Sequence, residues 1–328
     1  MRDVAEGGGL QRTGVAEPIT LVSVVREPIS LLLRFIAWHR RQGVGQFLLY
    51  FDDPDDPAIE VVAGESDVTC IRCTAAFWAS VRRTPEDRFV KRQIAALTHG
   101  FRQVRSGWVA VADGDELFHV PDGGLRAAVA QVPPDVPVLR VLPAEIVQTE
   151  ASGLHFRLPV AARVAGRIYG DAAFLVRRNG GLVGHVQGKS LTRAGTELSM
   201  MRQHFPVARD WSRLPERRAG PAEGAYLLHF FDRGYDSWRT KLAWRLGAWG
   251  FAPDLADRLR PLVEAQEAGG EGAGGADAAL RALYDALHRC DSGRLQRLAQ
   301  AGALLVVEDD PMEMVRQDFP AFAGRTEP

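Results

Sequence analysis

The chain has 328 residues, 46% of them hydrophobic and 25% charged, and a formal net charge of -1. That length excludes a peptide hormone or a disulfide-knotted mini-domain and suits one large α/β domain, or one domain with an appendage. Forty basic residues against 41 acidic ones exclude a protein held on nucleic acid by bulk phosphate neutralisation.

Lys91, Lys189 and Lys241 are the only lysines; the other basic residues are arginines, and with abundant Ala and Gly this points to a GC-rich bacterial genome. Three cysteines, Cys70, Cys73 and Cys290, give no disulfide framework. Cys70-x-x-Cys73 has no second pair and lies in a strand-like stretch. It reads as two small packed side chains, since a redox CxxC opens a helix. Residues 1–18 include Gly7, Gly8 and Gly9 and lack an apolar signal core, so they read as a disordered leader. No apolar run is long enough to span a bilayer, and the expected location is the cytoplasm.

Ile19 to Val25 is a β-branched, nearly continuous apolar run, the pattern of a strand buried on both faces of a parallel sheet. Ser30 then reads as the N-cap of a helix that carries Leu31, Leu32, Phe35 and Ile36 and stops at Gly43. Trp38 and His39 on it read as packing residues. Phe47–Phe51, Val68–Cys73 and Gly107–Ala112 follow as strands, with a helix over Phe89–Val104. Strands alternating with helices require a parallel sheet with right-handed crossovers. Leu125–Val132 reads as a helix and Val136–Leu142 as a strand. Past Ala144 the periodicity weakens, with strand-like pieces at Ala173–Val176, Leu182-Val183 and Tyr226–Phe230. Tyr235–Ala248 is helical by spacing, Ala268–Gly275 reads as a flexible linker, and Asp277–His288 and Gly293–Ala301 are helical.

The strongest chemical signal is Trp108-Val-Ala-Val-Ala-Asp-Gly-Asp-Glu116. A buried strand ends at two carboxylates spaced i, i+2, where open parallel sheets bind their ligands. Two carboxylates on a turn can converge on Mg2+ or Mn2+, the ions that pair with diphosphates. Asp-Gly is also an ordinary solvated turn. Gly188-Lys189-Ser190 is not a phosphate-binding loop of the GxxxxGK[ST] type, because Val183 stands where its first glycine belongs.

Seven segments, in order over residues 19–246, resemble bacterial glycosyltransferases of the family 2 and family 92 kind, which have the GT-A fold. Arg26-Glu27 after the first strand is similar to a Lys/Arg-Asn-Glu element. Leu33–Val44 resembles "EWIAYHRxxGV", and Phe47–Asp53 "FxxYDND". Arg92-Gln93 matches an Arg-Gln element, and Trp108–Phe118 resembles "WVxxxDxDEFL". Gly188-Lys189 and His229–Ser237 with Lys241 resemble a Gly-Lys element and "HYxxKSxxxFxxK". Arg26 replaces the usual Asn, two prolines interrupt the acidic loop after Asp52, and Ala144–Leu158 has no recognisable counterpart.

The resemblance implies a GT-A-like, mostly parallel central sheet flanked by helices over residues 19–250, with a helical C-terminal extension over 251–328. It implies a nucleoside diphosphate sugar donor, UDP-linked, and a glycan or other hydroxyl acceptor. Asp113, Asp115 and His229 would hold Mn2+ or Mg2+. Val24, Arg26 and Glu27 would line the nucleoside, with Asp52 on the base or ribose. Arg92 and Lys189 would face the diphosphate, beside Asp113. An inverting transfer needs a carboxylate base, for which Glu145, Glu150 and Asp171 are the candidates. A nucleotidyltransferase, or a member that binds nucleotides or sugars without turnover, are the alternatives.

Overall fold

The computed structural model describes residues 17–247, 250–269 and 271–322; residues 1–16 of the expected leader lie outside them. The chain opens with β1 (Ile19–Val25), α1 (Ile29–Arg41), β2 (Gln46–Phe51), α2 (Ala58–Val62), β3 (Val68–Arg72), α3 (Ala75–Ser80), α4 (Phe89–Gln103) and β4 (Trp108–Val111). β1 and β4 are buried along their whole length, which is why neither alternates polar with apolar residues. The Ser23 hydroxyl in β1 is satisfied by donating to Ala112 O at 2.8 Å, tying β1 to the point where β4 ends.

The helix after β1 begins one residue before Ser30, and Ser30 does not cap it. Pro28 occupies the cap position, and its carbonyl accepts from the N–H groups of Leu31 and Leu32. Trp38 and His39 pack as expected, and their polar atoms bond the backbone of Phe118, on the strand that follows β4. Trp38 Nε1 donates to Phe118 O at 2.6 Å, and Phe118 N–H donates to His39 Nε2 at 3.1 Å. His39 Nδ1–H in turn donates to Phe35 O at 2.8 Å.

The middle of the chain supplies β5 (Glu116–His119), α5 (Gly124–Ala130), β6 (Val138–Val141), β7 (Pro143–Ile146), β8 (Leu154–Arg157), α6 (Ala162–Tyr169), α7 (Ala173–Val176) and β9 (Lys189–Arg193). After these come β10 (Leu198–Met201), β11 (Pro206–Ala208), β12 (Glu216–Ala219) and β13 (Tyr226–His229). Seven strands form the central sheet in the order β12-β6-β9-β4-β1-β2-β3; β9 alone runs antiparallel to its neighbours. The chain is therefore a mixed α/β protein with a largely parallel central sheet flanked by helices.

The last part contains α8 (Tyr235–Thr240), α9 (Leu242–Gly247), α10 (Pro253–Ala268), α11 (Glu271–His288), α12 (Ser292–Gln300), β14 (Leu304–Val307) and α13 (Pro311–Asp318). A second sheet of five strands, ordered β14-β8-β7-β13-β5, joins this segment to the first half. α13 lies against α1, with Arg41 bonded to both carboxylate oxygens of Asp318 at 2.9 Å.

Further expectations are corrected. Ala173–Val176 is a helix, because a four-residue apolar run carries no period by which strand and helix differ. Leu182-Val183 is not in a strand. The glycine-rich stretch is mostly helical: α10 runs to Ala268 and α11 starts at Glu271, with Gly270 outside the described residues. Each glycine costs a helix about 1 kcal/mol, and packing between α10 and α11 offsets it. The expected helix over Tyr235–Ala248 divides at Lys241, and Ala248 lies outside the described residues. No helix among the described residues is long and apolar enough to cross a membrane.

Candidate functional site

β4 hands the chain to β5 through the turn that carries Asp113 and Asp115, at the carboxyl end of the central sheet. The turn is bonded to itself. Glu116 N–H donates to Asp113 O, and Asp113 N–H donates to Glu116 Oε2, both at 2.9 Å. Gly114 sits against Glu27, whose Cγ would lie 2.6 Å from a Cβ at that position.

Pairing in the second sheet places Glu116, His229, Glu145 and Arg157 opposite one another on β5, β13, β7 and β8. All four are buried. One half of this row is closed. Glu145 accepts from Arg157 Nε at 2.9 Å and from its Nη2, from Val183 N–H at 3.0 Å and from Gly184 N–H at 2.6 Å. Arg157 Nη1 also bonds Tyr169 Oη and Leu287 O. Burial alone would raise the Glu145 pKa; Arg157, His229 and the Val183 N–H together outweigh it and hold the carboxyl below its ordinary value.

The other half is open. Glu116 meets His185 Nε2 at 2.8 Å and Lys189 Nζ at 3.1 Å. Nδ1 of His185 and Nδ1 of His229 are buried without a hydrogen-bond partner. Glu116, His185 and His229 each offer a ligand atom, all within 4.8 Å of one another, so the three can hold a metal ion. Burial would raise the Glu116 pKa, but Lys189 and His185 keep it well below its ordinary value. Burial lowers that of His229, which favours the neutral, ligating imidazole.

Lys189 is fully buried and bridges the two halves of the acidic motif, 2.6 Å from Asp113 Oδ2 as well as beside Glu116. Burial would lower its pKa; the two carboxylates raise it instead, so it stays charged. Its position depends on Gly188, which has φ +68° and whose Cβ would fall 2.0 Å from Val141 O. No other residue enters β9 there without moving the backbone.

The sequence-derived residues divide accordingly. Asp113 is engaged by Lys189 and by Gln93 Nε2 at 2.7 Å. The Asp115 carboxylate makes no hydrogen bond or ion pair among the described residues, and its charge acts on Glu27, Arg34 and His229. Burial, then Asp115, raises the Glu27 pKa. Val24 is buried at the end of β1, and Arg26 is exposed, 3.9 Å from Asp52. Asp52 is gripped by Arg92 through two bonds of 2.9 and 2.6 Å; Arg92 also donates to Pro85 O at 2.5 Å and Asp87 O at 2.8 Å. Of the base candidates, only Glu145 adjoins the cluster, and its acceptor positions are filled. The Glu150 side chain is 97% exposed beside Arg289, and Asp171 is exposed in a 3-10 turn.

Sequence reasoning missed His185, Arg157 and Arg34. His185 follows a glycine in a stretch without periodicity, which carries no signal of its own. Arg34 did leave one, as a lone charge inside the apolar run Leu31–Trp38.

No family model and no curated protein matches the chain. Among solved structures it is similar to a mannosyltransferase from Pyrobaculum calidifontis in complex with GDP-Man and Mn2+. Identity is 14%, over 87% of this chain and 79% of that one, with a TM-score of 0.37. It is also similar to HddC from Yersinia pseudotuberculosis, at 10% identity over 65% of this chain and 93% of that one, with a TM-score of 0.36.

Proposed function

We propose that the chain is a metal-dependent glycosyltransferase of the GT-A kind, bacterial and related to families 2 and 92. It moves a sugar, with inversion, from a nucleoside diphosphate donor, UDP-linked, to an acceptor hydroxyl. Residues 19–250 form the catalytic unit and 251–328 its extension. The observation that carries this reading is the cluster of buried Glu116 and His229 with half-buried His185, both imidazoles with an unpartnered Nδ1, beside the Asp113-Gly-Asp115 turn.

One carboxylate and two imidazoles fit Mn2+ better than Mg2+, which prefers oxygen ligands throughout. Glu116, His185 and His229 would hold the ion, with Asp113 and Asp115 at its edge; His229 belongs to this set and to the one expected from sequence. Bound there, the ion would supply Lewis-acid neutralisation of a departing diphosphate. The protein's own residues do the rest. Lys189 fixes Asp113 and Glu116 in one arrangement before substrate arrives. Glu145 and Arg157, already saturated, hold the strand next to His229.

The test is a thermal-shift series of nucleoside diphosphates with and without Mn2+. A metal-dependent stabilisation in the wild type, lost in Glu116→Gln, is expected. Products then define the reaction, since glycosyl transfer releases a nucleoside diphosphate and nucleotidyl transfer releases pyrophosphate. No stabilisation by any nucleotide, with or without metal, rejects the reading.

A further inference from the structure

The β10–β11 hairpin belongs to neither main sheet, and a two-stranded hairpin is marginal in water by itself. It is docked on α4, where Met201 N–H donates to Thr98 Oγ1 at 2.9 Å and the Thr98 hydroxyl donates to Ile94 O at 2.6 Å. Met201 is buried in one apolar cluster with Val22, Leu97 and Val111. Docking there carries the hairpin turn, residues 202–205, to the open half of the site, and two adjacent side chains of the turn reach it.

Gln203 Nε2 donates to Gln93 Oε1 at 2.8 Å, and Gln93 Nε2 donates to Asp113 Oδ1 at 2.7 Å. The direction of this chain follows from its end. Asp113 is paired with Lys189 and, as a carboxylate, can only accept. Gln93 therefore turns its NH2 to Asp113 and its oxygen to Gln203, and Gln203 must supply a donor. Gln93 is buried, so an amide turned the other way would set oxygen against carboxylate with little water to relieve it. With Lys189 on Oδ2 and Gln93 on Oδ1, both oxygens of Asp113 are held. The next residue, His204, donates Nδ1–H to Gly188 O at 3.0 Å, and its ring centroid lies 4.3 Å from that of His185.

We propose that Gln203 and His204 are positioning residues of the metal cluster. Gln203 sets Asp113 through Gln93, and His204 sets the His185 ring by contact and the entry to β9 through Gly188. This rests on the metal site proposed above and extends it to a segment outside the acidic turn.

The experiment is titration of the full chain with Mn2+ alone, read by the electron paramagnetic resonance of free and bound ion, beside the melting temperature of the metal-free protein. Gln203→Glu keeps the shape and offers Gln93 only acceptors; Gln203→Lys offers only donors. Gln203→Glu is expected to weaken Mn2+ binding by about tenfold, the lower end for groups that hold a metal ligand from behind, and Gln203→Lys to keep the wild-type affinity. Charge alone predicts the reverse order, since an added carboxylate attracts the ion and an added ammonium repels it. The reverse order, or equal affinity in all three proteins, overturns the role of Gln203. His204→Ala is expected to weaken binding by about tenfold and to change the spectrum of the bound ion, and His204→Phe, which keeps a ring against His185, to recover part of that loss. Wild-type affinity and spectrum in both overturn the role of His204. A lowered melting temperature with unchanged Mn2+ affinity in every variant makes the turn structural only and overturns the proposal, while the metal site stands. A wild type that binds no Mn2+ overturns both together.

Discussion

Glu145 and Glu116 flank His229 in one row across the second sheet, both carboxylates are buried, and both are held below their ordinary pKa. Their surroundings differ in one respect. Around Glu145 every acceptor meets a donor, while around Glu116 two imidazole nitrogens meet nothing. Unsatisfied buried polar atoms are uncommon in folded proteins, and two on imidazoles beside one carboxylate suit a bound ion. For this pair of carboxylates, satisfaction of the neighbouring groups, not burial or charge, is what differs.

The comparison breaks first at the closed half. Glu145→Gln or Arg157→Met leaves the other charge buried alone, which costs about 3–5 kcal/mol. Chemical denaturation of both singles and the double variant measures it; the double is expected to be more stable than either single. A cost near zero in the singles would show that the closed half is not structural.

Histidines give the second contrast. His39 accepts from Phe118 N–H and donates to Phe35 O, so only its neutral form fits, and burial pushes its pKa down to about 3. The unfolded chain takes up this proton near pH 6.5 and the folded chain does not. The stabilisation is therefore complete above pH 6.5 and is lost as pH falls towards 3. The loss is about 2 kcal/mol by pH 5. His39→Gln is expected to flatten the stability curve between pH 6.5 and 4; an unchanged slope would contradict the assignment.

At the open half, His229→Ala is expected to weaken Mn2+ binding by at least about 10–100-fold, the loss seen for groups one step further from a metal. Its melting temperature without metal should fall less than that of Glu145→Gln. Gly184 joins the two halves, since a Cβ there would lie 2.8 Å from Glu145 Oε2 and 3.1 Å from His229 Cε1. Gly184→Ala is expected to cost about 1–3 kcal/mol through overpacking and to weaken metal binding in the same variant. A change in only one of these would uncouple the halves. The smallest effect belongs to Glu150→Ala, which should leave the melting temperature unchanged; lost turnover with that fold intact would identify the base.

The parallel half of the central sheet was readable because β1, β2 and β4 are nearly continuous apolar runs, β3 is a short stretch around Val68, Cys70 and Ile71, and helical periods stand among them. So was the acidic turn, which lies where β4 stops. The second sheet was not. Its strands are four residues long, and their partners come from residues 116, 145, 157, 229 and 304, so no local pattern reports the row they form. Glu116 was not among the residues expected to hold the metal, because its ligand geometry depends on His185, a residue brought in by tertiary packing alone. Arg34 was visible as an anomaly in α1, but an unpaired charge can be recognised only once its neighbours are known.

β14 adds a consequence for how the molecule is made. Residues 304–307 cover the edge of β8, the strand that carries Arg157, and Arg157 in turn bonds the carbonyl of Leu287. On a ribosome, the sheet holding Glu116 stays incomplete until residues beyond 307 have emerged. Until then β8 offers an open edge to other nascent chains. The long sequence separation of these pairings makes closure slow. Yield in a cell should therefore depend on the rate at which the final third of the chain is delivered as much as on the stability of the finished fold.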